Sequence, residues 1–132
     1  MVRMHSIYTL LALAGASALA MLYVGAYQVR LVQHLKCPLV GGCEAVADAP
    51  FARPWGIPDG FLAAGFYVVL IVLALLTAQL SWARYGVRGL AILATLANIL
   101  GVIDMSRLGA FCFYCLLTTV LSPFLVWLAF VV

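Results

Sequence analysis

The segment LGAFCFYCLLTTVLSPFLVWLAFVV, residues 108–132, contains no charged side chain. A helix that crosses a bilayer needs about 20 apolar residues, so this run is long enough to span the membrane. Cys112 and Cys115 lie near its beginning as a C-x-x-C pair. Oxidisable side chains at the edge of an apolar run either form a redox pair or fill space in a packed helix.

The composition of the whole chain indicates an integral membrane protein. Of its 132 residues, 67% are hydrophobic and 8% are charged, and the mean hydropathy is +1.20. A soluble domain carries about 25% charged residues, so this chain has too few charges to cover a water-exposed surface. Its net charge is +3, and no basic cluster indicates nucleic-acid binding.

Four apolar runs predict an all-α, four-helix membrane bundle that forms a single domain over residues 1–132. The expected spans are residues 7–29, 61–81, 87–103 and 108–132. The strict alternation of a spanning β-strand is absent. Residues 81–86 and 104–107 are expected to be tight connections, and the long loop 30–60 is expected to contain a short helix. The first run also has a second interpretation, a signal peptide with a small-residue cleavage site.

Four spans place both termini on one side of the membrane and the long loop on the other. Lys and Arg are almost evenly divided between the two sides, so the positive-inside rule does not orient the chain. The four cysteines all fall on the loop side, as Cys37 and Cys43 in CPLVGGC and as the pair Cys112 and Cys115. Two pairs on one face indicate thiol–disulfide chemistry in an oxidising compartment.

The spacing of each cysteine pair has a chemical use. Cys112 lies near a helix N-terminus, where the helix dipole favours a thiolate, and Cys115 lies one turn deeper. The loop around Cys43 contains Gly41 and Gly42, which allow it to fold back. Because exchange proceeds through mixed disulfides, a mobile and a fixed pair can relay electrons. A structural zinc site and a non-enzymatic scaffold stapled by two disulfides remain as alternatives.

A relay in the membrane needs an electron acceptor, and the abundant two-electron acceptor in lipid is a quinone. Aromatic residues near Cys115 are suited to an apolar pocket for a planar ring. Phe66 and Tyr67 at the beginning of the second span are among them. Asn98, in the middle of the third span, is expected to form hydrogen bonds between helices.

Three stretches, CPLVGGCEAV, GIPDGFLAAGFY and CFYCLLTT, together resemble the vitamin K epoxide reductase family, in particular its bacterial and archaeal homologues. The resemblance implies a four-helix bundle around a quinone. It implies that Cys37 exchanges with a thioredoxin-like partner and that Cys43 forms a transient disulfide with Cys112. It further implies that Cys115 faces the quinone. The quinone-binding residues that it implies are Asp59, Phe51, Leu62, Phe66, Tyr114 and Thr119.

Three features depart from relatives in the family. Thr119 stands where the vertebrate enzymes have a tyrosine, which puts epoxide reduction in doubt. Asp59 stands where they have an asparagine. Many bacterial relatives carry a fused thioredoxin-like domain, whereas this sequence ends at Val132. We therefore expect a separate thioredoxin-like or DsbA-like partner.

The sequence thus predicts a quinone-dependent thiol–disulfide oxidoreductase that supports disulfide-bond formation. Electrons pass from the partner to Cys37/Cys43, then to Cys112/Cys115, then to menaquinone, ubiquinone or a similar quinone, with no metal. The expected location is the inner cell membrane, with both termini cytoplasmic and all cysteines extracytoplasmic. Reduction of a quinone epoxide or vitamin K epoxide by the same relay is the alternative activity.

Overall fold

The structure, a computed structural model, describes residues 2–34, 42–50, 56–77 and 79–131. Cys37 and Phe51 lie outside these ranges. The described residues form five α-helices and no strand. The helices are α1 (Val2–Gln28), α2 (Cys43–Asp48), α3 (Asp59–Leu76), α4 (Ser81–Leu108) and α5 (Phe113–Val131).

Four of these helices are long and apolar enough to cross a membrane, namely His5–Gln28 of α1 and the whole of α3, α4 and α5. The prediction of an all-α chain with four candidate spans is therefore confirmed. In the bundle, α1 packs against α3 and α5, while α4 packs against α3 and α5. The short helix α2 packs on α1.

The helices begin and end at different residues from the apolar runs. Residues 81–86 and 104–107, expected as turns, belong to α4. The described residues that connect the helices are instead 77, 79–80 and 109–112. A helix satisfies its own backbone hydrogen bonds and therefore continues beyond the hydrocarbon. A long basic side chain such as the exposed Arg107 can extend from its end towards water. The charges thus indicate the membrane edge rather than the ends of α4.

Backbone geometry explains two of the helix ends. Beyond α1, Arg30 has a φ of 67°, and Leu31 N–H donates to the Ala26 carbonyl at 2.9 Å while Arg30 N–H donates to Tyr27 at 3.0 Å. This pair of bonds is a Schellman motif. Beyond α4, Gly109 has a φ of 79° and its N–H donates to the Met105 carbonyl at 2.9 Å. Both reversals occur at the end of the bundle that contains the cysteines.

The buried side chains form two clusters along the bundle. The larger one, here called the central core, is built around Leu10, Leu70 and Leu125. The smaller one, here called the cysteine-end core, joins Val24 and Tyr27 of α1, three residues of α2, and Met105 and Cys112. Two cysteines therefore belong to the packed interior of this end.

Helices α1 and α3 approach most closely at two glycines. A Cβ atom added to Gly60 would clash with the backbone of Gly25 and lie 2.7 Å from the Met21 carbonyl oxygen. Small residues allow helix backbones to approach in this way in membrane bundles. The crossing fixes the beginning of α3, and hence Asp59, against the last turn of α1.

Candidate active site

Cys43 lies against the beginning of α5. The backbone N–H of Phe113 donates a hydrogen bond to Cys43 Sγ, with an N···S distance of 3.2 Å. Phe113 is the first residue of α5 and directly follows Cys112. The first N–H groups of a helix have no partner within it, so Cys43 supplies one here. Cys43 and Cys112 are both fully buried in the cysteine-end core.

Gly42 makes this approach possible. A Cβ atom at position 42 would lie 2.7 Å from both the backbone nitrogen and the carbonyl oxygen of Phe111, and 3.0 Å from Ala110 Cβ. No side chain fits into that space without moving the backbone of residues 110–111. The glycine therefore lets the beginning of α2 lie directly on the segment that leads into Cys112.

The cysteines are in different oxidation states. Cys43 is disulfide-bonded, whereas Cys112 and Cys115 are free thiols. A hydrogen bond with the Cys115 side chain lowers the pKa of Cys112, against burial, which raises it. Backbone hydrogen bonds from Cys115 and Tyr114 lower the pKa further. Cys112 is therefore biased towards the nucleophilic thiolate despite its burial.

Hydrogen bonds from the end of α1 hold α2 in place. Tyr27 Oη donates to Asp48 Oδ2 at 2.9 Å, and Arg30 Nη2 lies 3.6 Å from Asp48 Oδ1. His34 Nδ1 lies 3.6 Å from Glu44 Oε1. The contacts attach both ends of α2 to α1 and its continuation.

Gln28 connects three helices from a fully buried position. Its Nε2 donates to the Ala47 carbonyl oxygen and to Asp59 Oδ1, both at 3.1 Å. Its Oε1 accepts the backbone N–H of Gly60, also at 3.1 Å. One side chain thus satisfies an N–H at the beginning of α3 and orients the Asp59 carboxyl group.

A cavity of about 290 Å³ lies below the cysteines, between α3 and α4 and against α5. Its lining is mainly apolar and includes Cys115, so the deeper cysteine faces this space. The volume is just below the range of about 300–1,000 Å³ that is usual for small-molecule pockets. Leu62 and Leu93, which line it from α3 and α4, are 40% and 56% exposed. The cavity therefore opens sideways between these two helices.

Four of the six expected quinone-binding residues line the cavity, namely Asp59, Leu62, Phe66 and Thr119. Tyr114 is not among the lining residues. Its ring packs edge-on against Tyr23 at a centroid distance of 5.4 Å and belongs to the cysteine-end core. Phe51 lies outside the described residues, as does Cys37.

The deeper end of the cavity contains a polar cluster around Asn98. Asn98 Nδ2 donates to Ser122 Oγ at 2.8 Å, and Thr118 Oγ1 donates to Asn98 Oδ1 at 3.1 Å. Asn98 Nδ2 also lies 3.4 Å from Tyr67 Oη. The expectation that Asn98 forms hydrogen bonds between helices is confirmed. The location of these hydrogen bonds in the wall of the cavity is a finding that the sequence did not predict.

Several residues that shape the site were not predicted from the sequence. Gln28 is not among the residues that the sequence analysis names. Its position at the end of an apolar run was the available signal, because a buried glutamine needs hydrogen-bond partners. Met105 accepts the backbone N–H of Cys112 through its sulfur at 3.3 Å, and it also lines the cavity. An unbranched methionine in a helix gives no sequence signal of such a role.

Comparison with known proteins agrees with this geometry. The model of the vitamin K epoxide reductase family matches residues 7–130. No curated protein matches the chain. The matched range contains all four cysteines and every residue that lines the cavity. Since the match covers nearly the whole sequence, the chain is a member of the vitamin K epoxide reductase family and an oxidoreductase of the membrane-embedded, quinone-related kind.

Proposed function

We propose that this protein is a quinone-dependent thiol oxidase that reoxidises a separate thioredoxin-like or DsbA-like protein. The observation that carries the proposal is the continuous path from Cys43 to the cavity. Cys43 Sγ contacts the first amide of α5, Cys112 directly precedes that amide, and Cys115 faces the cavity. The two transfers that a relay requires, from Cys43 to Cys112 and from Cys115 to a ligand in the cavity, are therefore both between neighbouring groups.

The relay begins with electrons from the partner. Two thiols of the partner reduce the Cys37–Cys43 disulfide and are themselves oxidised to a disulfide. The Cys43 thiolate then attacks the Cys112–Cys115 disulfide at Cys112, forming a Cys43–Cys112 bond and releasing the Cys115 thiolate. Cys37 next attacks Cys43, which restores the loop disulfide and releases the Cys112 thiolate. These exchanges transfer two electrons from the partner's thiols to Cys112 and Cys115, and every disulfide that is broken is matched by one that is formed.

The last step takes place at the cavity. The Cys112 and Cys115 thiols give two electrons and two protons to a quinone, yielding a disulfide and a quinol. The oxidation states in the structure, with Cys43 in a disulfide and the other two cysteines free, correspond to the stage before this step. The residues that line the cavity suit such a substrate, because Leu62 and Phe66 offer apolar contact and Asp59 offers a polar group near Cys115.

The direct test is quinone reduction by purified protein. We expect reduced partner and a soluble quinone to give quinol only when the protein is present, and Cys115→Ala to abolish the reaction. Thr95→Ala is a suitable control, since Thr95 Oγ1 bonds the Ala91 carbonyl of its own helix at 3.0 Å. Full quinone reduction by Cys115→Ala would refute the proposed relay.

Thiol trapping distinguishes the relay from a disulfide-stapled scaffold. Replacing Cys37 with serine removes the residue that would resolve the mixed disulfide, and replacing Cys115 with alanine removes the competing partner of Cys112. We expect the double variant to accumulate a Cys43–Cys112 disulfide, visible by mass spectrometry of peptides. A scaffold would yield no such species, even under oxidising conditions.

A further inference from the structure

We infer that Tyr67 donates a hydrogen bond to the quinone oxygen that lies farthest from Cys115. The inference rests on the proposed function and assigns a role to a residue that was expected only to contribute apolar surface. Tyr67 lines the cavity from α3 and is 3% exposed. The other hydroxyl donors at the deep end of the cavity are already engaged within the protein.

The threonine and serine hydroxyls at this end all have acceptors within the protein. Thr119 Oγ1 donates to the Cys115 carbonyl oxygen at 2.7 Å. Ser122 Oγ donates to the Thr118 carbonyl oxygen at 2.7 Å. Thr118 Oγ1 is within reach of two acceptors, Asn98 Oδ1 and the Cys115 carbonyl oxygen. A hydroxyl has one hydrogen, so none of the three is available to a ligand.

The orientation of the Asn98 amide follows from its partners. Its Nδ2 lies 2.8 Å from the Ala94 carbonyl oxygen, which accepts hydrogen bonds and cannot donate them. The nitrogen must therefore occupy this position, because two oxygens would repel there. The same nitrogen faces Ser122 Oγ at 2.8 Å and Tyr67 Oη at 3.4 Å. The two hydrogens of Nδ2 are taken by the Ala94 carbonyl oxygen and Ser122 Oγ. Tyr67 Oη therefore lies beside an amide nitrogen that cannot accept a hydrogen bond, and the tyrosine hydrogen stays free.

Tyr67 is consequently the exception in this cluster. Its hydroxyl lies beside the Asn98 amide nitrogen, which cannot accept a hydrogen bond, and among the described residues the tyrosine hydrogen has no acceptor. A buried O–H group without an acceptor is unfavourable, because it loses its hydrogen bond to water and gains none in the protein. The cost is removed when a ligand with an acceptor oxygen occupies the cavity. A quinone carbonyl is such an acceptor, and it has no hydrogen of its own to donate.

The positions along the bundle suit a ring with oxygens on opposite sides. Asn98 precedes Met105 by two helical turns of α4, a rise of about 10 Å. Met105 contacts Cys112, so the thiols lie at one end of the cavity and the Tyr67–Asn98 pair lies deeper. With one quinone oxygen near Cys115 and Asp59, the other points towards Tyr67.

The hydrogen bond would matter most during reduction. As the thiols deliver electrons, negative charge develops on both quinone oxygens. A preorganised donor in an apolar cavity stabilises such charge more than it stabilises the neutral quinone. Tyr67 retains its proton in this scheme, and the protons of the quinol come from the two thiols.

The test is Tyr67→Phe, which removes the hydroxyl and keeps the ring. We expect kcat for quinone reduction to fall by about tenfold to a hundredfold, with little change in formation of the Cys43–Cys112 disulfide. Tyr85→Phe is the matched control, because Tyr85 is 72% exposed at the opposite end of α4. A Tyr67→Phe enzyme with unchanged kcat would overturn the inference.

Infrared spectroscopy provides a readout that a merely structural role would not change. A hydrogen bond lowers the stretching frequency of a quinone carbonyl. We expect bound quinone, isotopically labelled at one carbonyl, to show a lowered band in the wild type that returns to the unbonded position in Tyr67→Phe. An identical spectrum for both proteins would overturn the inference. If the wild type itself reduces no quinone, the proposed function fails instead.

Discussion

At the level of single residues, Cys112 combines burial with a lowered pKa. Burial in an apolar core disfavours a thiolate, yet the hydrogen bond with the Cys115 side chain and the amides that begin α5 outweigh it. A thiolate is the species that attacks a disulfide or leaves it most readily. Cys115 thus lines the cavity and also lowers the pKa of its neighbour Cys112.

The pH dependence of Cys112 follows from this hydrogen bond. In a protein with Cys37 and Cys43 replaced by serine, we expect Cys115→Ala to raise the pKa of Cys112. The thiolate fraction at a given pH then falls, and ultraviolet thiolate absorbance develops at higher pH. Cys115→Ser is the matched control, because its hydroxyl can still donate and should keep the pKa low. A titration that is the same for alanine and serine would contradict the explanation.

Thr119 is a position at which this chain departs from the vertebrate relatives that it resembles. The resemblance implies a tyrosine at this position in vertebrate relatives. Here Thr119 lines the cavity, but its hydroxyl donates its hydrogen to a carbonyl of its own helix. In our proposal the hydrogen-bond donor to the quinone at the deep end of the cavity is Tyr67, which lies on α3.

At the level of secondary structure, α2 depends on its neighbours. An isolated helix of six residues is far too short to be stable in water. Gln28, Tyr27 and Arg30 hold α2 from the end of α1. The position of Cys43 is therefore determined by α1, and a change in any of these contacts acts on the redox site from a distance.

Gly42→Ala tests the contact between α2 and the segment before α5. The backbone at position 42 has a φ of −101°, which alanine tolerates, so the effect is due to the clash with Phe111. We expect Cys43 to move away from Cys112 and the trapped Cys43–Cys112 disulfide to form at least about tenfold more slowly. The rate is measured by quenching with an alkylating reagent.

Gly89→Ala is the control for this substitution. An added Cβ at Gly89 meets nothing within 4 Å, and the residue lies in α4 away from the cysteines. Its rate of disulfide trapping should match that of the wild type. Equal slowing in both variants would mean that the close approach of Gly42 has no special importance.

The sequence was sufficient to predict the four spans and the C-x-x-C at the beginning of the last one. The length of each apolar run and its lack of charge are sufficient for this prediction, because both are properties of a single short segment of the chain. It was insufficient for Gln28, Gly42 and Met105, because their roles arise from contacts between helices far apart in the chain. The cavity likewise combines residues from all four long helices. Asp59 and Thr119 were found through family resemblance rather than from local pattern.

At the level of the whole molecule, the bundle has two unlike ends. The cysteine-end core, α2 and Asp59 lie at one end, and the N-terminus of α1 and the C-terminus of α5 lie at the other. We propose that the cysteine end faces the extracytoplasmic side. An oxidising compartment on that side would allow the partner to meet the loop cysteines.

Labelling with a membrane-impermeant thiol reagent tests this orientation. In a variant that lacks the four native cysteines, Ser106→Cys introduces a thiol at the cysteine end of α4, and Tyr85→Cys introduces one at the opposite end. Both positions are exposed. We expect Ser106→Cys to react in intact cells and Tyr85→Cys to react only after permeabilisation. The reverse pattern would contradict the proposed orientation.

In our proposal, the sideways opening between Leu62 and Leu93 determines which concentration of quinone is available to the enzyme. An opening towards hydrocarbon admits molecules that have already partitioned into lipid, so the relevant concentration is the mole fraction of quinone in the bilayer. Apparent affinity measured against total quinone in a detergent solution will then depend on the amount of detergent. Diluting the micelles at constant quinone should mimic substrate depletion. Kinetics from different preparations become comparable only when expressed per volume of apolar phase.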